Sequence, residues 1–158
     1  MSLFSKNKDV QIFAPCDGEI IGLEKVEDEV FSEKMLGDGF AIDPANGDFV
    51  APMEGKLVTV FPSGHAYGIK HKSGLEALLH IGLDTVSLDG VGFDIKVKQG
   101  ESVKVGAPLV MVDLEGIRSK VPSLKTPLVF TQDSLEGKTI EVLAKGKVKK
   151  GDLIAVIK

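Results

Sequence analysis

All three histidines lie in one segment whose residue pattern predicts a β-hairpin. The segment runs from Gly64 to Gly82, with apolar stretches on both sides of Ser73-Gly74, a pair that is typical of a tight turn. If that pair forms a two-residue turn, counting outward makes His65 a diagonal neighbour of His80 on one face of the ribbon. His71 then lies too far along the ribbon to join them.

The same register predicts which other side chains share the histidine face. It places Tyr67 opposite His80 and Ile69 opposite Leu78, so that apolar side chains flank the two rings. Diagonal neighbours in an antiparallel pair lie about 7–8 Å apart, which lets two imidazoles meet. Neighbouring unprotonated ring nitrogens suit either metal binding or nucleophilic attack by a neutral ring. The pattern alone leaves both possibilities open, together with an accidental pairing of ordinary strand histidines.

The composition limits the classes of protein to which the chain can belong. Its 158 residues, 43% of them hydrophobic, are enough for one compact core. The formal charge of −4 comes from 19 basic and 23 acidic residues without a long run of either sign, so a nucleic-acid partner is not expected. Cys16 is the only cysteine, and no apolar segment approaches the roughly 20 residues that span a bilayer. These features favour a protein of the reducing cytoplasm.

Short apolar stretches separated by turn residues predict an all-β fold. The 18 glycines and 7 prolines are spread along the whole chain between these stretches. The stretches run from Glu19 to Leu23, Lys56 to Phe61, Leu75 to Ile81, Leu109 to Val112 and Leu153 to Ile157. Only the segments Phe31 to Leu36 and Leu114 to Val121 lack the punctuation typical of strands, and each could form a short helix, the second with Asp113 as a candidate N-cap.

Two faint internal repeats suggest that the fold has related halves. Ala14-Pro15-x-x-Gly18 recurs as Ala51-Pro52-x-x-Gly55, and a Val-Lys-x-Gly motif at Val103 recurs at Val148. Each half would supply a turn glycine and an apolar strand to a shared core. We therefore expect an antiparallel β-sandwich with pseudo-repeated halves and one or two short helices. Residues 1–10 are expected to form a flexible N-terminal segment, and residues 11–158 a single domain.

The histidine segment also carries a family resemblance. Leu79-His80-Ile81-Gly82-Leu83-Asp84-Thr85-Val86, with Gly64-His65-Ala66 upstream, resembles the glucose-class enzyme IIA of the bacterial phosphoenolpyruvate-dependent sugar phosphotransferase system. The resemblance covers nearly the whole chain from about Gln11 onward and includes Val30 to Gly39. That family is an antiparallel β-sandwich that accepts a phosphoryl group on one histidine from the histidine-containing phosphocarrier protein and passes it to a cysteine of enzyme IIB. The resemblance implies a cytoplasmic phosphotransferase component that needs no cofactor, binds those two partners and contacts the membrane only through the permease.

The resemblance also implies roles for individual residues. His80 would accept the phosphoryl group on Nε2 while its Nδ1 donates a proton to a backbone carbonyl, for which Gly82 is the candidate. His65 would donate a hydrogen bond to the phosphoryl oxygens, with the Ser63 hydroxyl orienting its ring. Asp84 would assist incoming partners or form a turn. An apolar docking rim is implied for Phe31, Leu36, Phe61 and Leu78, with core packing as the alternative for Phe31 and Phe61.

Three other functions stay open. A zinc hydrolase of a related β-fold would also use strand histidines, and zinc could bind adventitiously at His65 and His80, although two imidazoles leave a catalytic zinc a ligand short. A biotin or lipoyl carrier is suggested by the segment Ala51 to Gly55, but the hairpin lysine of such carriers, with its flanking methionine motif, is absent. The third alternative is a regulatory module that binds target proteins in its unphosphorylated form.

Overall fold

The computed structural model describes residues 9–158, and within that range the chain is built mainly from short strands. The strands are β1 (Val10–Phe13), β2 (Gly18–Gly22), β3 (Gly37–Pro44), β4 (Asp48–Val50), β5 (Gly55–Val60), β6 (Ala66–Lys70), β7 (Glu76–His80), β8 (Phe93–Ile95), β9 (Ser102–Val103), β10 (Pro108–Val112), β11 (Thr126–Thr131), β12 (Ile140–Val142), β13 (Gly146–Val148) and β14 (Leu153–Ile157). The α-helices are α1 (Glu29–Ser32), α2 (Leu114–Ile117) and α3 (Gln132–Leu135). Single 3-10 turns lie at Leu23–Lys25, Thr85–Leu88 and Arg118–Lys120.

The strands pair in antiparallel fashion and form one large and two small sheets. The large sheet has eight strands in the order β13-β2-β3-β11-β7-β6-β5-β9, and the three-stranded sheets have the orders β1-β14-β12 and β4-β10-β8. The main core draws on all three sheets, with Phe49, Leu79 and Phe130 fully buried in it. Because side chains alternate along a strand, Ala41 and Val129 point to the other face of the large sheet, where they join a smaller apolar cluster with Phe31. The predicted antiparallel β-sandwich is confirmed.

The two halves repeat one arrangement of contacts. Gly18 at the start of β2 pairs with Val148 of β13, and Gly55 at the start of β5 pairs with Val103 of β9. The alanine of each Ala-Pro motif accepts a backbone hydrogen bond of 2.9 Å from the glycine of the matching Val-Lys-x-Gly turn. The faint repeats in the sequence therefore mark structurally equivalent positions, and the predicted pseudo-repeat is confirmed.

The predicted elements lie close to the observed ones, with differences at the helices. All five predicted apolar stretches overlap strands, and the last of them coincides with β14. Asp113 caps α2 as predicted, because its carboxylate accepts a 3.1 Å hydrogen bond from a backbone N–H in the first turn. The helix predicted at Phe31 to Leu36 is displaced: Asp28 caps α1, which begins at Glu29 and ends at Ser32. The sequence did not predict α3.

The predicted flexible segment at residues 1–10 is wrong at its last residue. Val10 begins β1, pairs with Ile157 of β14 and is 4% exposed. The C-terminal strand therefore holds Val10 in the sheet. Residues 1–8 lie outside the described residues, and the extent of the domain stays a prediction. Across residues 9–158 no helix has the length and apolar character needed to cross a bilayer.

Candidate functional site

The hairpin that carries the histidines differs from the predicted one by one residue in register. β6 and β7 pair Ala66, and not Tyr67, with His80. The N–H of His71 donates to the carbonyl of Leu75 (2.8 Å), which leaves residues 72–74 as a three-residue turn. Its last residue, a glycine with φ of +100°, has the left-handed conformation that such loops use. The predicted two-residue turn is therefore wrong.

The shift in register moves two apolar side chains away from the site. Tyr67 and Ile69 are fully buried in the main core, so they do not flank the His80 ring as predicted. His65 precedes β6 and follows Gly64, whose φ is +78°, so the strict alternation of a strand does not apply to it. The two histidines do meet, but through this irregular backbone and not as a diagonal pair on a regular ribbon.

The two imidazoles lie side by side between two phenyl rings. The ring centroids of His65 and His80 are 5.1 Å apart, and their planes cross at 78°. Phe31 lies 5.1 Å from the His80 ring, and Phe61 lies 5.1 Å from the His65 ring. His65 is 3% exposed, whereas His80 keeps partial access to solvent. His80 is therefore the ring that an incoming group can reach more easily.

Each of the two histidines uses its Nδ1 for a hydrogen bond within the chain. His80 Nδ1 lies 2.8 Å from the Gly82 carbonyl oxygen. Because a carbonyl can only accept, Nδ1 carries the proton and Nε2 of the neutral ring has a free lone pair. His65 Nδ1 lies 2.5 Å from the Ser63 hydroxyl, and a hydroxyl that donates to Nδ1 leaves the ring proton on His65 Nε2. The arrangement thus offers an unprotonated nitrogen on one ring beside an N–H donor on the other.

Burial keeps both rings neutral. It lowers the pKa of His65 to about 4, with a smaller contribution from the neighbouring His80. Burial also lowers the pKa of His80, against the opposing effects of the Gly82 carbonyl and the Asp28 carboxylate. A ring that attacks an electrophile must be unprotonated at one nitrogen. At neutral pH the site therefore holds an uncharged potential nucleophile.

Asp84 follows the histidine strand and opens a 3-10 turn. Its backbone is left-handed, with φ of +59°, and its carbonyl accepts a 2.8 Å hydrogen bond from the Ser87 hydroxyl. Its side chain is exposed and does not cap the turn. Asp84 therefore forms a turn through its backbone, while its carboxylate faces solvent. This position is compatible with both predicted roles, turn formation and assistance to incoming partners.

The four apolar residues of the predicted docking rim occupy different environments. Phe61 is 41% exposed and Leu36 is 43% exposed, as surface contacts would be. Leu78 packs partly buried against the smaller apolar cluster. Phe31 is 4% exposed and belongs to that cluster, so the structure favours core packing for this residue.

Two exposed valines near the site were not predicted from the sequence. Val86 and Val91, which follow Asp84 in the chain, are 53% and 62% exposed. The segment around Val91 adjoins the site, because a Cβ placed on Gly90 would lie 3.8 Å from Ser63. Exposed valines in a segment rich in glycine and aspartate give no periodic signal, so the sequence offered no way to find them.

The described residues do not supply the ligands of a zinc enzyme. Between residues 9 and 158 no group of three or more His, Cys, Asp or Glu side chains could hold a metal ion. His71 is occupied elsewhere: its Nδ1 lies 2.9 Å from the Ser73 hydroxyl and its Nε2 lies 3.8 Å from Glu54. His65 and His80 alone provide two ligands, and catalytic zinc sites use three from the protein.

The chain that carries this paired histidine site is similar to known proteins along most of its length. The family model described as phosphoenolpyruvate-dependent sugar phosphotransferase system, EIIA 1, matches residues 10–136. The chain belongs to this family. A glucose-specific EIIA component of the phosphotransferase system from Mycoplasma capricolum is 58% identical over 152 residues, which are 96% of this chain and 97% of that protein.

Further similarities cover both the fold and a larger protein. The solved structure of glucose permease IIA from Mycoplasma capricolum has a TM-score of 0.92 at 56% identity and covers 97% of this chain and 98% of that one. A glucose-specific EIICBA component from Staphylococcus carnosus is 48% identical over 147 residues, which are 93% of this chain and 22% of that protein. The resemblance to the glucose-class enzyme IIA is confirmed. This EIIA protein is a phosphocarrier of the sugar phosphotransferase system and works with other components of that system.

Proposed function

We propose that His80 is the phosphoryl acceptor of this EIIA protein, that the group comes from the histidine-containing phosphocarrier protein, and that it leaves to a cysteine of enzyme IIB. The observation that carries the proposal is the 2.8 Å contact between His80 Nδ1 and the Gly82 carbonyl. This contact keeps the proton on Nδ1 and leaves Nε2 free for attack. His80 also has the solvent access that an acceptor needs.

Two transfer steps follow from this geometry. In the first, the lone pair on His80 Nε2 forms the bond to phosphorus while the N–P bond of the donor breaks and the donor nitrogen keeps its electron pair. In the second, the thiolate of enzyme IIB attacks phosphorus, and His80 Nε2 regains its lone pair. The Gly82 carbonyl stabilises the more positive ring of phosphorylated His80 through the Nδ1 proton.

His65 acts as an auxiliary donor in both steps. Its Nε2–H can bond to the phosphoryl oxygens, over which negative charge is spread in a loose transition state. The Ser63 hydroxyl, 2.5 Å from His65 Nδ1, orients the ring and keeps the donor proton on the correct nitrogen. The low pKa of His65 ensures that this role uses a neutral ring at physiological pH.

Partners dock on the apolar surface around the two rings. Phe61, Leu36 and Leu78 are proposed to contact the phosphocarrier and enzyme IIB, together with Val86 and Val91. Such a surface suits brief encounters, in which transfer matters more than tight binding. The exposed Asp84 carboxylate adds a negative charge near this surface, and Phe31 packs against the His80 ring.

Relatives support the choice of partners. The EIICBA components from Staphylococcus carnosus contain a segment similar to this chain within a larger protein, one named glucose-specific and one glucoside-specific. We therefore propose a sugar permease as the destination of the phosphoryl group, with glucose as the transported sugar. The cytoplasmic location, and binding of regulated target proteins by the unphosphorylated form, belong to this proposal as well.

Intact mass spectrometry tests the acceptor. Wild type, His80→Ala and His71→Ala would each be incubated with phosphoenolpyruvate, enzyme I and the phosphocarrier protein. We expect one acid-labile phosphoryl group on wild type and on His71→Ala, whose histidine lies outside the site, and none on His80→Ala. A phosphoryl group on His80→Ala would refute the assignment.

A second experiment separates the roles of the two rings. His65→Gln should still be phosphorylated on His80, because the nucleophile and its tautomer are intact. Onward transfer to enzyme IIB should be slower by about 100-fold or more, since a donor to the transition state is weakened. Complete loss of both steps in a folded His65→Gln protein would contradict this division of roles.

A further inference from the structure

Three buried residues with polar side chains bond to one short segment after β7. They are His65, Thr85 and Thr126, with exposures of 3%, 0% and 0%. The His65 carbonyl accepts from the Ile81 N–H (2.7 Å), and both threonine hydroxyls bond to the peptide that joins Ile81 to Gly82. A buried hydroxyl is unfavourable unless it is hydrogen-bonded. The hydroxyls of Thr85 and Thr126 meet this requirement through their bonds to the Ile81–Gly82 peptide.

The two threonines hold opposite ends of one peptide group. The Thr85 hydroxyl donates to the Ile81 carbonyl at 2.6 Å. The Gly82 N–H donates to the Thr126 hydroxyl oxygen at 3.4 Å, and that hydroxyl in turn donates to the Leu124 carbonyl at 3.0 Å. Both polar groups of the Ile81–Gly82 peptide are therefore bonded to side chains and not to a neighbouring strand.

The next peptide group, Gly82–Leu83, forms the hydrogen bond to His80. The Leu83 N–H donates to the Ser123 carbonyl at 2.9 Å, and the Gly82 carbonyl accepts from His80 Nδ1. Gly82 has φ of +72°, and a Cβ at this position would lie 2.7 Å from a methyl carbon of Thr85. The direction of the Gly82 carbonyl thus depends on a left-handed glycine between two peptides that are both fixed by hydrogen bonds.

We infer that Thr85 and Thr126 are positioning residues that clamp the Ile81–Gly82 peptide, and thereby aim the Gly82 carbonyl at His80 Nδ1. The inference rests on the proposed role of His80. Neither hydroxyl touches the reacting atoms. Their effect is on the tautomer: while the carbonyl is held in place, the Nδ1–H form of His80 is favoured, and Nε2 stays free to attack phosphorus.

Nitrogen NMR of the unphosphorylated protein tests the clamp without any activity measurement. The variants are Thr85→Val and Thr126→Val, which keep the shape of the side chain and remove the hydroxyl. The control is Thr59→Val on β5, whose hydroxyl makes no hydrogen bond to another residue between 9 and 158. We expect His80 of wild type and of the control to be in the Nδ1–H form, and each clamp variant to show a mixture of tautomers. Serine at either position should restore the single form.

Transfer kinetics give the second measurement. Loss of a single neutral hydrogen bond corresponds to a change of roughly two- to tenfold, so kcat for phosphoryl acceptance should fall by about that factor in each variant. KM for the phosphocarrier should stay unchanged, because the docking surface is not altered. A purely structural role would lower thermal stability while leaving both the tautomer and kcat at wild-type values in the folded protein, and that result would overturn the inference.

The test remains decisive if a variant fails to fold, or if the role of His80 is wrong. In wild type the hydroxyl protons of Thr85 and Thr126 should exchange slowly enough with water to be observed, unlike that of Thr59. Fast exchange of both protons would refute the clamp. If His80→Ala were still phosphorylated, the proposed function would fail, whereas the tautomer of His80 in the valine variants would still report on the clamp.

Discussion

Acidification should destabilise this EIIA protein through His65, and a His65→Gln variant should lose much of that sensitivity. The His65 ring is 3% exposed and its pKa is lowered from 6.5 to about 4. In the unfolded chain the ring takes up a proton near pH 6.5, whereas the folded protein excludes that proton until the pH falls to about 4. Protonation therefore favours the unfolded state throughout that window, and stability is lost as the pH falls.

The size of the loss follows from the pKa shift. Each unit of pH inside the window removes up to about 1.4 kcal/mol from the free energy of unfolding. A change from pH 7 to pH 5 crosses about 1.5 units of it, which corresponds to about 2 kcal/mol from His65, and to about 1 kcal/mol if the ring is partly solvated. Burial lowers the pKa of His80 and of His71 as well, so both add a loss of the same sign.

Urea unfolding followed by circular dichroism at pH 7 and pH 5 isolates the His65 contribution. The free energy of unfolding of wild type should fall by about 1 to 2 kcal/mol more than that of His65→Gln. His71→Gln serves as the control, because Glu54 opposes the effect of burial on the His71 pKa and its removal should change the pH dependence less. NMR should show the His65 ring of the folded protein still neutral at pH 5.

An equal loss in wild type and in His65→Gln would refute the reasoning. So would a His65 ring that titrates near pH 6.5 in the folded protein. Either result would mean that water reaches the ring in solution, and that the hydrogen bond from Ser63 does not enforce the neutral form proposed for phosphoryl stabilisation.

Three further substitutions separate packing, backbone and capping effects. Phe31→Ala removes a buried ring from the smaller apolar cluster and should lower the free energy of unfolding by about 3 kcal/mol in urea titrations, and NMR should show the His80 pKa moving back toward its ordinary value. Gly82→Ala places a Cβ at a left-handed φ and against Thr85, so it should lower stability by at least about 1 kcal/mol and slow phosphoryl acceptance in the transfer assay. Asp113→Ala removes the cap of α2 and should lower the free energy of unfolding by about 1 kcal/mol, with a wild-type transfer rate.

Turn chemistry explains how much of the fold could be predicted. Glycine and proline mark most strand ends, and the two Ala-Pro motifs begin equivalent strands, so both the all-β class and the repeat were visible in the sequence. The register of the β6–β7 hairpin could not be predicted from the sequence. Ser73-Gly74 fits a two-residue turn as well as the end of a three-residue one, and the choice depends on the hydrogen bond between His71 and Leu75, which no local pattern specifies.

The roles of the site residues could be predicted only from the family resemblance. It indicated His80, His65, Ser63 and the Gly82 carbonyl, and the structure brings these groups together. It gave no reason to expect that a threonine on β11, far away in sequence, would bond to the Gly82 N–H. Burial of a hydroxyl is a property of the packed chain, and threonine is equally common on exposed strand faces.

The position of His80 beside the smaller apolar cluster explains why its Nδ1 bonds to the backbone. His80 lies on the outer face of the large sheet, where Phe31 fixes one side of the ring and the partner-facing side must stay open. A side chain that held Nδ1 from the open side would obstruct an incoming phosphoryl donor. The Gly82 carbonyl comes from the loop directly after β7, and this loop can be fixed by buried groups such as Thr85 and Thr126. Substitutions on the exposed rim should therefore alter KM for partners, whereas substitutions beneath the Gly82 loop should alter kcat.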